Sequence, residues 1–152
     1  MKRTFFSLAL LLAVATLTAQ TKMTAREAAV KIADRILAST TYEFKNTKTG
    51  ETYKSVKKLP LDMDVKVACK YNNWHYTNGV TNMALMELGD KLGDKKYEKY
   101  VLKNMNFVFN EGNLDFFRKQ YDEAFKRDGW NAVRKLSWHM IFRGKRLDDN
   151  GP

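Results

Sequence analysis

The residues best equipped for chemistry lie in two places. Between Tyr71 and Met86, the triplet Trp74-His75-Tyr76 stands among Asn72, Asn73, Thr77 and Asn78, and the chain then passes through Gly79 into an apolar helical stretch. Rings surrounded by amides and hydroxyls offer stacking faces beside donors and acceptors, the combination that a sugar ring needs. The second place is Asp148-Asp149, ahead of Asn150-Gly151-Pro152. Carboxylate and carboxamide caps followed by a proline have the composition of a helix start, where backbone N–H groups orient one carboxylate for acid/base work. Both places also have plainer readings. Aromatic triplets fill cores more often than they bind ligands, and an Asp-Asp pair before glycine is commonly a cap with a solvated neighbour.

Other chemistries find little to work with. His75 and His139 stand 64 positions apart (139 minus 75), without a cysteine pair or a His-Glu-x-x-His pattern, so neither a metal nor a cofactor is expected. Ser137 is close to His139 but sits in an apolar helical segment and not in a strand-turn-helix elbow. There is no glycine-rich phosphate loop. The lone Cys69 cannot form an internal disulfide and reads as a small buried side chain.

Met1-Lys2-Arg3, an apolar run from Phe5 to Leu17, and Thr18-Ala19-Gln20 describe a secretory signal over 1–19, cleaved after Ala19 to leave one domain over 20–152. The run is too short to span a bilayer comfortably, so the expectation is export to the periplasm or exterior with no stable membrane insertion after cleavage. The 27 basic and 17 acidic residues give a net charge of +10, and removing Lys2 and Arg3 leaves +8 (25 minus 17). Such a surface favours anionic partners. Export, and lysines scattered over helix faces, argue against nucleic acid.

Thr24-Ala25-Arg26-Glu27 is a capping box ahead of a helix to about Ala38. Thr40 to Lys70 reads as an irregular excursion with a small hairpin at Gly50. A helix is expected from about Asn78 to Leu92, with Val80, Met83, Ala84, Leu88 and Leu92 on its buried face and Gly93 as its stop. Asp94 caps the next, with Tyr97, Val101, Met105 and Val108 inward and Gly112 at its end. Asn113 or Asp115 starts a fourth helix carrying Leu114, Phe117, Tyr121 and Ala124, closed by Gly129, and a shorter apolar segment runs from Trp130 to Phe142. Five helices with essentially no sheet make an all-α chain, and tight helical hairpins between longer loops suit a toroid of paired helices.

The combination of Trp74-His75-Tyr76-x-x-Gly79-Val80, Leu92-Gly93-Asp94-Lys95-Lys96-Tyr97, Trp138-His139-Met140-x-Phe142-Arg143 and Leu147-Asp148-Asp149-x-Gly151 resembles the N-terminal part of the unsaturated rhamnogalacturonyl hydrolases. These form glycoside hydrolase family 105, related to the family 88 unsaturated glucuronyl hydrolases. The resemblance covers roughly Thr24 to Pro152. It implies an (α/α)6 barrel, of which these hairpins are an incomplete part, and a hydrolase of the 4,5-unsaturated uronyl ends that lyases leave on oligosaccharides. In such enzymes an Asp acts as general acid/base, the ring double bond is hydrated, and the hemiketal opens to release the next sugar. By the same resemblance Asp149 is the first active-site aspartate with Asp148 as neighbour or cap, Tyr76 lines the sugar subsite, and Trp74, His75 and Asn78 are adjacent binders. The family's barrel takes well over twice this length and its second aspartate, usually the proton donor, falls beyond Pro152, so these 152 residues alone are expected to be inactive. The rival reading is a non-catalytic helical module that binds saccharide or protein through the Trp74 to Tyr76 surface.

Overall fold

The computed structural model describes residues 23–143. The chain divides into two compact units, Met1–Lys31 and Ile32–Pro152. The expected signal segment, 1–19, lies outside the described residues. What is described of the first unit is the start of helix α1, Ala25–Ser39. There Thr24 Oγ1 accepts the Glu27 N–H at 3.2 Å while the Glu27 carboxylate accepts the Thr24 N–H at 2.8 Å, the reciprocal pair of a capping box.

The second unit is mostly helical, with one small sheet. Strand β1, Phe44–Asn46, and strand β2, Thr52–Tyr53, form a hairpin around Gly50, whose φ of 82° suits a residue without Cβ. Strand β3, Val65–Val67, pairs antiparallel on the other side of β1, giving the order β2-β1-β3. The hairpin stands where the sequence suggested one, but the essentially helix-only expectation is corrected by this third strand. Three residues of Val-Lys-Val are too short a run for alternation to be read, and the strand exists because its neighbours hold it. Gln120, fully buried, donates its side-chain N–H groups to the carbonyls of Asp62 and Val65, and Phe44 and Val65 reach the core.

Helix α2, Tyr76–Leu92, and helix α3, Lys96–Val108, form the expected hairpin. Gly93 ends α2 in the left-handed conformation, the Asp94 N–H returns to the Gly89 carbonyl at 3.0 Å, and Asp94 Oδ1 accepts the Lys96 N–H at 3.0 Å. The buried face of α2 is only partly the one expected: Leu88 and Leu92 pack against the core, but Val80, Met83 and Ala84 are exposed. Gly79, Asn82, Leu85 and Gly89 point inward, whereas Val80 is 47% and Met83 71% exposed. Gly89 favours this face: a Cβ there would stand 3.1 Å from the Asp94 carbonyl oxygen and 3.3 Å from the Tyr97 Cβ, tighter than a methyl ordinarily packs. Asn104 of α3 then donates to Asn82 across the contact at 3.3 Å. On α3 itself, Tyr97, Val101 and Val108 are buried as their spacing suggests.

Helix α3 stops at Val108, short of Gly112, because Asn110 caps the next helix by accepting the Asn113 N–H at 3.2 Å. Helix α4, Glu111–Val133, passes beyond its expected end but breaks direction at Asp128 and Gly129, whose φ of 52° and ψ of −139° are glycine's alone. The Trp130–Phe142 segment is interrupted too: helix α5 is only His139–Arg143, and Trp138 before it has a φ of 57°. Phe44, Val65, Trp74, Val108, Phe116, Phe117 and Trp138 form one core cluster, and Ala33, Leu85, Tyr97, Tyr100 and Val101 another. No helix among the described residues is long and apolar enough to cross a membrane.

Candidate functional site

The segment carrying the aromatic triplet begins as a short 3-10 turn, Lys70–Asn72, and is fastened from both sides. The buried Asn72 side chain donates to the Thr41 carbonyl at 2.7 Å, and the Asn72 carbonyl accepts the Trp138 indole N–H at 2.8 Å. From this anchor the chain extends through Asn73 and Trp74 to the start of α2. His75 is the N-cap there: its Nδ1 accepts the Thr77 N–H at 3.3 Å and lies 3.0 Å from the Thr77 hydroxyl. Asn78 braces the turn, donating from Nδ2 to the carbonyls of Lys70 and Asn73, each at 2.7 Å.

Between the turn and the first turns of α2 lies an open groove of about 400 Å³, lined by Lys70, Tyr71, Asn73, His75, Thr77, Asn78 and Thr81. Lys70 is its one charged group. Its ammonium stands 5.0 Å from the centre of the Tyr71 ring, a contact that costs the cation none of its hydrogen-bond donors. Both Nδ2 hydrogens of Asn78 are committed, so its carboxamide offers a ligand its oxygen. The Thr81 hydroxyl donates to the Thr77 carbonyl at 2.8 Å and is left as an acceptor. The lining holds no carboxylate and no thiol. The amides and hydroxyls of this lining suit a hydroxyl-rich ligand, and its one lysine suits an anionic one.

The four candidate binding residues therefore separate. His75 and Asn78 reach the groove while also serving as cap and brace. Trp74 is a core residue, 8% exposed, packed edge-on against Phe109 with centroids 5.0 Å apart. It lies behind the groove, where a small enclosed cavity is shared with Asn82, Asn104, Met105 and Val108. Tyr76 is 67% exposed, a ring free to stack against a ligand beside the lining rather than within it. Asp148 and Asp149 lie outside the described residues.

Lys70, Tyr71 and Thr81 were not singled out by sequence reasoning. Thr81 could have been found, since its spacing of four from Thr77 puts both on one face of α2. The 3-10 turn that brings Lys70 to Asn78 leaves no such periodic trace. Among the described residues, no three His, Cys, Asp or Glu side chains gather as a metal site. No protein-family model matches the chain, and neither does any curated protein or solved structure.

Proposed function

We propose that this groove binds the carboxylated ring of a uronic-acid oligosaccharide. The observation that carries the reading is Lys70: a single cation, without a carboxylate beside it, in a groove otherwise lined by amides, hydroxyls and aromatic rings. A uronate presents the complement, one carboxylate on a ring of hydroxyls. The exposed Tyr76 adds a stacking face.

Within that reading, the resemblance of Trp74-His75-Tyr76, Trp138-His139-Met140 and Leu147-Asp148-Asp149 to the unsaturated uronyl hydrolases makes an exported hydrolase of 4,5-unsaturated uronyl ends the proposed activity. The α2–α3 hairpin is a unit of the kind that an (α/α)6 barrel repeats. The reaction is hydration of the ring double bond with Asp149 as acid/base, and the groove's part is to hold the uronyl ring. The rival, a binding module without turnover, is favoured by one specific feature: the groove's own lining contains no carboxylate.

Two measurements separate these. Titration of the 152-residue chain with 4,5-unsaturated galacturonyl-rhamnose is expected to show binding that Lys70→Ala weakens about fivefold, the scale of one exposed charge pair, and that methyl esterification of the ligand weakens to a similar degree. Equal binding of acid and ester would overturn the groove reading. Bleaching of the ultraviolet absorbance of the unsaturated ring reports turnover. It is expected to depend on Asp149, falling at least about a hundredfold in Asp149→Asn. Binding without bleaching would establish the binding module instead.

A further inference from the structure

Lys70 and Tyr71 form a wall with a second groove on its far side. This one, about 490 Å³, is lined by Arg35 and Ser39 from α1, by Thr41, and by the Ala68 to Tyr71 segment. Its only charged groups are Arg35 and Lys70. Both are exposed, and neither enters an ion pair among the described residues. The acid next to Arg35 in sequence is already engaged: Asp34 receives the Lys96 ammonium at 2.8 Å and the Tyr97 hydroxyl at 2.9 Å. Two cations with no competing carboxylate in their groove make a stronger positive site than either groove has with Lys70 alone. A guanidinium also offers a carboxylate two parallel donors.

Resting on the uronate reading of the first groove, we propose that the Arg35–Lys70 groove is a second subsite for the same ligand, binding the carboxylate of the next acidic sugar. The ligand then straddles the Lys70-Tyr71 wall, with Lys70 placed between its two charges. This selects a substrate class: oligosaccharides bearing two or more carboxylates, as in a run of uronic acids, over those in which the terminal uronate is followed by a neutral sugar.

The test compares two ligands that share the terminal unsaturated ring, galacturonyl-rhamnose with one carboxylate and trigalacturonate with three, by calorimetric titration of the 152-residue chain at fixed ionic strength. Trigalacturonate is expected to bind the tighter of the two, with the steeper loss of affinity as salt is raised. Arg35→Ala should weaken trigalacturonate about fivefold and leave galacturonyl-rhamnose unchanged, while Arg35→Lys recovers part of the loss. Because Arg35 lies on an exposed helix face, the alanine variant is expected to keep the parent's circular dichroism and melting curve. If galacturonyl-rhamnose binds but Arg35→Ala spares trigalacturonate, or weakens both ligands alike, the second subsite is refuted and the first groove stands. If trigalacturonate fully methyl-esterified binds as well as the acid, the second subsite is likewise refuted. Binding of neither acid would remove the first groove's reading and this one together.

Discussion

The indole N–H of Trp138 donates to the main-chain carbonyl of Asn72 across 66 positions of sequence, at 2.8 Å. Both residues are almost fully buried, and Asn72 is itself tied to Thr41. The turn just before the last described helix thus reaches back to fix the one that carries Lys70 and Tyr71. Trp138 holds this position with a left-handed φ of 57°, an unfavourable conformation for a large side chain, which its packing against Phe107 and Phe117 must offset.

Trp138→Phe keeps a ring in that pocket and deletes the donor. Leaving the Asn72 carbonyl buried and unpaired should cost about 1–3 kcal/mol in urea unfolding, with further loss from the smaller ring. If the turn depends on this bond, affinity for the uronyl ligand should fall as well, though Trp138 lies outside the groove lining. A variant as stable as the parent would remove the bond from the account.

Asn78→Asp sets a carboxylate oxygen against the Lys70 and Asn73 carbonyls, where two N–H donors stood. At pH 7 this should destabilise the fold by about 2 kcal/mol. Protonation restores one donor, so the new carboxyl has a folded pKa above its unfolded value. The sign follows: stability relative to the parent improves as pH falls through that raised pKa towards 4. Thermal melts of both proteins between pH 4 and pH 7 would show the gap narrowing on acidification.

Gly89→Ala tests the closeness of α2 and α3. Alanine is the better helix former by about 0.5–1 kcal/mol, but its Cβ would stand 3.1 Å from a backbone oxygen that a side-chain rotation cannot move. Overpacking of this kind costs about 1–3 kcal/mol, so a net loss near 1 kcal/mol is expected in denaturant unfolding. A net gain would show that the hairpin yields.

Burial pushes the Tyr42 hydroxyl up to about 12, helped by neighbouring Tyr100 and Cys69. Tyr97 and Tyr100 are raised as well, burial being the largest cause for each. A folded pKa above the unfolded value of 10.0 gives stability that is complete below pH 10 and is lost as pH rises from 10 towards 12. The melting temperature should therefore fall across that window. Tyr42→Phe should lessen the fall, and at pH 7 it should cost nothing or stabilise by up to about 1 kcal/mol, because the Tyr42 hydroxyl is buried without a hydrogen-bond partner.

Much of the helical frame was legible in the sequence because its signals are local. Thr24 with Glu27, Gly93 with Asp94, and the Tyr97-Val101-Val108 stripe each lie within a few turns of one helix. What escaped depends on partners far along the chain. Strand β3 needs β1 and Gln120, and the inward face of α2 is favoured by Gly89 against α3, so counting apolar residues selected Val80 and Met83 in error. The site divided the same way. The polar aromatic segment was visible as composition, yet Trp74 was drawn into the core by Phe109, while Lys70 joined the groove through a turn stabilised by Asn78, Thr41 and Trp138.

The outward side of α2 carries Tyr76, Val80 and Met83, at spacings of four and three, all exposed and opposite the face that meets α3. In solution the molecule behaves as a charged colloid with an adhesive stripe on α2. At low ionic strength the net charge of +10 keeps copies apart; added salt shortens the reach of that repulsion and leaves the apolar attraction intact. Light scattering should accordingly pass from net repulsion to net attraction as salt rises, and Met83→Glu should postpone the crossing. The conditions that loosen a uronate from Lys70 are thus the ones that bring neighbouring molecules together.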